Sequence, residues 1–84
     1  MKYTLFYSDK CPDTPAFLQK LQEKNIDFQE VNITDSMPNL KRFLQLRDHR
    51  DEYQFVRAAG NVGVPTLLVN DERIILSLSE LEDL

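Results

Sequence analysis

Residues 2–14 read Lys2-Tyr3-Thr4-Leu5-Phe6-Tyr7-Ser8-Asp9-Lys10-Cys11-Pro12-Asp13-Thr14, and the change of character along this stretch sets the fold. The run from Lys2 to Tyr7 is β-branched and aromatic, which predicts a buried strand, and Ser8-Asp9-Lys10 ends it as a polar loop. Phe17, Leu18 and Leu21 then recur at i, i+1 and i+4 among Gln19, Lys20, Gln22, Glu23 and Lys24, so an amphipathic helix follows, with Asn25 as its stop. Cys11-Pro12 stands at the junction of that strand and that helix.

Outward from this unit, Phe28, Val31 and Ile33 with Gln29, Glu30 and Asn32 form a second apolar run of strand length, and Asp35-Ser36 with Pro38 signals a helix start. That helix is expected to bury Leu40, Phe43, Leu44 and Leu46. The polar run Arg47-Asp48-His49-Arg50-Asp51-Glu52 separates it from a second helical segment carrying Phe55, Val56 and Ala59 and ending at Gly60. Val64 to Val69 and Arg73 to Leu76 flank Asn70-Asp71-Glu72 as a hairpin. Ser77 with Glu80 matches a capping box before Leu78, Leu81 and Leu84. The order β-α-β-α-(α)-β-β-α gives an α/β domain. A right-handed crossover makes the first two strands parallel, and the hairpin adds two antiparallel strands, so a four-stranded mixed sheet flanked by helices is expected.

The chain has 84 residues, 42% of them hydrophobic, with 10 Lys+Arg against 14 Asp+Glu and a net charge of −4. Residues 1–84 therefore read as a single domain, and the acidic balance argues against nucleic acid as a partner. The amino terminus lacks the apolar run of a secretion signal and no stretch is long enough to span a membrane, so a cytoplasmic monomer is expected. One cysteine excludes an intramolecular disulfide scaffold. A sulfur at a helix amino terminus meets unpaired N–H groups and the helix dipole, which favour a thiolate. Lys10 acts in the same direction, whereas Asp9 and Asp13 oppose it by charge repulsion.

Tyr7-Ser8 at the strand end, Cys11-Pro12 after it and Gly63-Val64-Pro65-Thr66 before the hairpin resemble the glutaredoxins. Within them the chain is similar to small bacterial glutaredoxin-related proteins with Cys-Pro-Asp-Cys. The likeness spans the whole chain. It implies a thioredoxin-like (glutaredoxin) fold, a redox-active nucleophilic Cys11 and a cis peptide at Val64-Pro65, with Val64 offering its N–H and C=O to a peptide or glutathione strand. Lys10, Pro12, Val64, Pro65, Ser77 and Ser79 are the substrate-contact positions that follow from the resemblance. Thr14 occupies the place of the family's second cysteine, where its hydroxyl can donate a hydrogen bond to a thiolate but cannot resolve a mixed disulfide. The resemblance thus implies a monothiol cycle in which glutathione is a co-substrate, with no tightly bound cofactor and with protein or small-molecule disulfides as partners.

The departures are specific. The family's Gly-Gly element, which holds the γ-glutamyl end of glutathione, is replaced by Ser77-Leu78-Ser79-Glu80, and Lys10 is closer to the cysteine than the family's lysine. Pro12-Asp13 departs from the Cys-Gly-Phe-Ser pattern of relatives that share an iron–sulfur cluster. His49, the single histidine, reads as a solvated loop residue, so no metal site is expected. Arg57 is the one candidate for oxyanion chemistry of the arsenate-reductase kind. Two classes of function follow: a thiol–disulfide oxidoreductase acting through Cys11, or a non-catalytic module that binds a partner peptide at the Cys11/Pro65 surface.

Overall fold

The structure, a computed structural model, describes residues 2–84. Its centre is formed by β1 (Tyr3–Tyr7) and β3 (Thr66–Val69), which run antiparallel with Phe6 opposite Thr66 and Tyr3 opposite Val69. On the outer flank of β1 lies β2 (Gln29–Asn32), parallel to it, and on the outer flank of β3 lies β4 (Arg73–Ile75), antiparallel, giving the order β2-β1-β3-β4. The helices are α1 (Thr14–Glu23), α2 (Met37–His49), the short α3 (Gln54–Ala58) and α4 (Leu78–Glu82). This is a thioredoxin-like α/β fold with a mixed four-stranded sheet.

Alternation along the strands divides the core between the two faces of the sheet. Leu5, Leu67, Val69 and Ile75 pack with Phe17 and Leu21 of α1 and Leu81 of α4. Phe6, Leu68 and Ile74 point the other way and pack with Val31, Ile33, Phe43 of α2 and Tyr53. Because both faces are covered, β3 is buried at every position, which is why its sequence is apolar without alternation.

The helix ends follow local chemistry. Past α1, Asn25 takes φ 56°, and the N–H groups of Asn25 and Ile26 donate to Gln22 and Leu21 carbonyls, a Schellman closure after which Ile26 packs against the core cluster that contains Leu21. The same arrangement ends α3, with Gly60 at φ 72° and Asn61 N–H donating to Val56. Ser36 caps α2 through Asn39 N–H, and Ser77 caps α4 through Glu80 N–H. In the hairpin Asn70 and Asp71 take φ 53° and 60°, a left-handed pair that suits the twist of the strands.

Four expectations are corrected. The polar run from Arg47 does not break the helix, since α2 continues to His49 and the chain extends only at Arg50. His49 is thus on the last helical turn, where a basic side chain suits the dipole. Phe55 does not enter the core; it is 86% exposed, and Tyr53, fully buried just before α3, fills that place. Val64 and Pro65 precede β3 rather than opening it. Leu78 is exposed and Leu84 half-buried, so Leu81 alone is the buried anchor of α4.

Thr4 is 1% exposed, and its Oγ1 has no hydrogen-bond partner among the described residues. A buried hydroxyl left unpaired costs about 1–3 kcal/mol relative to a methyl of the same shape. Thr4→Val should therefore raise the stability, by about 1 kcal/mol, read as a higher midpoint of urea unfolding at unchanged slope.

Candidate functional site

The antiparallel register of β1 and β3 brings the loop leaving β1 against the loop entering β3. Cys11 lies in the first of these, in a tight turn: its N–H donates to Ser8 O at 3.1 Å and its carbonyl accepts from Thr14 N–H at 3.3 Å. Helix α1 begins only at Thr14, with Asp13 at the N-cap and Pro15 in the first turn, so the sulfur stands three residues ahead of the helix instead of on its first turn. Pro15 cannot donate the early helical N–H, which favours this later start. The sulfur is half-buried, and Sγ approaches the carbonyl oxygen of Val64 at 3.5 Å. The Val64–Pro65 peptide bond is cis.

Around this contact opens a groove of about 740 Å³. Of the positions singled out from sequence, Lys10, Cys11, Val64, Pro65 and Ser77 line it, and Pro12, Thr14 and Ser79 do not. Pro12 is exposed on the turn. Ser79 is exposed beside Ser77, their hydroxyls 3.2 Å apart. Thr14 is the substantive correction: it is 4% exposed, and its hydroxyl donates to Ser8 O at 2.8 Å. Its one proton therefore holds the turn and is not directed at the sulfur.

Both loops are pinned by side chains. Ser8 and Thr34 hydroxyls lie 3.1 Å apart, and Lys10 N–H donates to Ser8 Oγ. Hydrogen bonds from Asn32 first and Thr34 second, with the Lys10 charge, hold the Asp9 carboxyl below its ordinary range, so Asp9 is anionic beside the turn. On the other side Tyr53 OH donates to Thr66 Oγ1 at 3.1 Å, and Thr66 Oγ1 donates to Gly63 O at 2.6 Å. Gly63 has φ 102°, which strains any residue with a side chain, and a Cβ there would crowd Val56 Cγ1 at 3.1 Å and the Tyr53 ring at 3.3 Å, so glycine is favoured before Val64. The Arg47 guanidinium donates twice to Asn61 O, at 3.1 and 2.6 Å. Arg57 donates to Arg47 O and Arg50 O at the end of α2, outside the groove, and so does not serve an oxyanion near the sulfur.

Tyr53, Arg47 and Arg57 were not legible as supports of the site. Their signal was an aromatic and two guanidinium groups inside a polar stretch, and their partners are mostly backbone carbonyls that no side-chain pattern reports. Among the described residues no group of three or more His, Cys, Asp or Glu could hold a metal ion, and no helix is long and apolar enough to cross a membrane.

Comparison with known proteins agrees with this arrangement. The glutaredoxin family model matches residues 3–74, a span that includes Cys11 and the Val64–Pro65 loop. This chain belongs to the glutaredoxin family. Among curated relatives, an uncharacterized protein of Haemophilus influenzae is 42% identical over 81 residues, covering 96% of this chain and 94% of the relative. Among solved structures, the glutaredoxin from Methanosarcina mazei Go1 is similar with a TM-score of 0.71 at 17% identity, over 98% of this chain and 75% of that one. The second likeness supports the fold.

Burial pushes the Tyr53 phenol up to about 12 from the ordinary 10.0. Below pH 10 folded and unfolded chains both hold this proton, so stability is unaffected; above it the unfolded chain ionises first, and stability falls between pH 10 and about 12. Tyr53→Phe should cost about 1 kcal/mol at neutral pH through the lost hydrogen bond. It should also remove part of the alkaline loss, so that urea midpoints of the two proteins converge as pH rises past 10.

Proposed function

We propose that the chain is a monothiol thiol–disulfide oxidoreductase of the reducing cytoplasm, acting through Cys11 on glutathione or polypeptide mixed disulfides. The observation that carries this reading is the approach of Cys11 Sγ to Val64 O at 3.5 Å on the floor of an open groove. A substrate strand laid against Val64 would present its disulfide to the sulfur. The Cys11 thiolate attacks one sulfur of the substrate disulfide, that S–S bond breaks, and the leaving thiolate takes a proton from solvent as the Cys11 mixed disulfide forms. An external thiol then attacks the mixed disulfide and returns Cys11 to its reduced state. Lys10, Val64 and Pro65 contact the substrate, Pro12 shapes the turn, and Ser77 forms the far end of the site, with Ser79 beside it outside the groove. Thr14 acts here by holding the turn through Ser8 O.

That same bond favours a second reading, a non-catalytic module binding a partner peptide at the Cys11/Pro65 surface, because it turns the Thr14 proton to Ser8 O and away from a Cys11 thiolate. Mass spectrometry separates the two. Oxidised glutathione should add one glutathione to the protein and reduced thiol should remove it, with Cys11→Ser showing neither step while remaining folded. A Cys11 that forms no releasable adduct would support the module instead.

The turn from Cys11 to Thr14 is closed by a hydrogen bond, which keeps its Cα atoms within about 7 Å and near the disulfide range of about 4.4–6.8 Å. Thr14→Cys should therefore form an internal disulfide with Cys11, at a cost of about 1 kcal/mol for the lost Ser8 bond. Thiol counts before and after oxidation check the bridge, and turnover of a small disulfide should rise above that of the parent protein.

A further inference from the structure

The groove around Cys11 is poor in positive charge and rich in exposed apolar surface. Lys10 is the single cation in its lining among the described residues; that side chain is 76% exposed, its Nζ is 4.0 Å from Asp9, and Asp13 shares the lining. The guanidinium groups of Arg47, which holds the loop before Val64 through Asn61 O, and of Arg57 are turned to backbone carbonyls. At the far end Ser77 Oγ donates to Glu80 Oε1 at 3.1 Å and accepts from Glu80 N–H, so that corner presents a carboxylate. By contrast Val62, 51% exposed, and Leu78, 39% exposed, both line the groove, one from the loop before Val64 and one from the start of α4.

We propose that this groove takes an extended polypeptide whose cysteine is flanked by apolar, uncharged side chains, in preference to glutathione. The inference rests on the thiol-exchange reading of Cys11 and names its substrate class. Glutathione carries two carboxylates on a short tripeptide. One of them must share Lys10 with Asp9 and Asp13, and one placed toward Ser77 meets Glu80, so neither gains a net attraction. An aliphatic side chain beside the substrate cysteine instead removes its own surface and that of Val62 and Leu78 from water. Pairing with the Val64 backbone serves any extended chain equally, so side-chain burial and charge decide between the two occupants.

Two probes with one leaving group test this: glutathione and acetyl-Val-Cys-Leu-amide, each as its mixed disulfide with 2-thiopyridine. In both, the Cys11 thiolate attacks the peptide sulfur, the S–S bond breaks, and pyridinethione leaves and is followed by its absorbance. The apolar probe should react about tenfold faster than the glutathione probe, after each rate is divided by that with free cysteine. In the double variant Val62→Lys/Leu78→Lys, whose sites are exposed, the order should reverse. Equal rates, or a faster glutathione probe in the parent protein, would overturn the inference and leave the exchange reading standing. If both probes react no faster with the protein than with free cysteine, the exchange reading itself fails, and this inference with it.

Discussion

The antiparallel pairing of β1 with β3, in the register that sets Phe6 opposite Thr66, is the constraint on which the rest of the structure depends. It places the residues that leave β1 beside those that enter β3, so Cys11 and Val64, 53 positions apart, meet at one end of the sheet. A shift of one residue would turn Leu5 and Phe6 to the wrong faces and expose both halves of the core, and the burial of Leu5, Phe6, Leu67 and Leu68 opposes it. The site's geometry is thus tied to the most deeply buried part of the fold.

Around that pairing the two loops are held by different means. The Cys11 turn is a local device, built from hydrogen bonds among Ser8, Cys11 and Thr14, with Thr34 and Asn32 at the end of β2 reaching across to Ser8 and Asp9. The Val64 loop is held over a longer range, by Tyr53 through Thr66 to Gly63 and by Arg47 from α2. Ordering both loops in advance would lower the conformational cost of the proposed docking of a strand between them. The groove is lined also by Val62 and Leu78, two exposed apolar side chains.

The sequence by itself determined the elements, their order and the sulfur at the strand–helix junction, because these rest on near-neighbour chemistry. Residues 2–7 and 64–69 are apolar runs of strand length, Asn25 and Gly60 are residues suited to positive φ, and Ser36 and Ser77 are caps followed by helical patterns. Cys11-Pro12 with Val64-Pro65 also made the glutaredoxin likeness readable. Only the tertiary structure decided which aromatic is core, since Tyr53 and Phe55 differ by two positions and a five-residue helix has too little periodicity to choose between them. It also decided that Arg47-Asp48-His49 stay helical, because Arg47 gains Asn61 as a partner and Arg57 satisfies the carbonyls at the end of α2. The role of Thr14 was settled in the same way. A threonine three residues after a cysteine can turn its hydroxyl to either of two acceptors, and here it takes the second lone pair of the Ser8 carbonyl, which already accepts from Cys11 N–H.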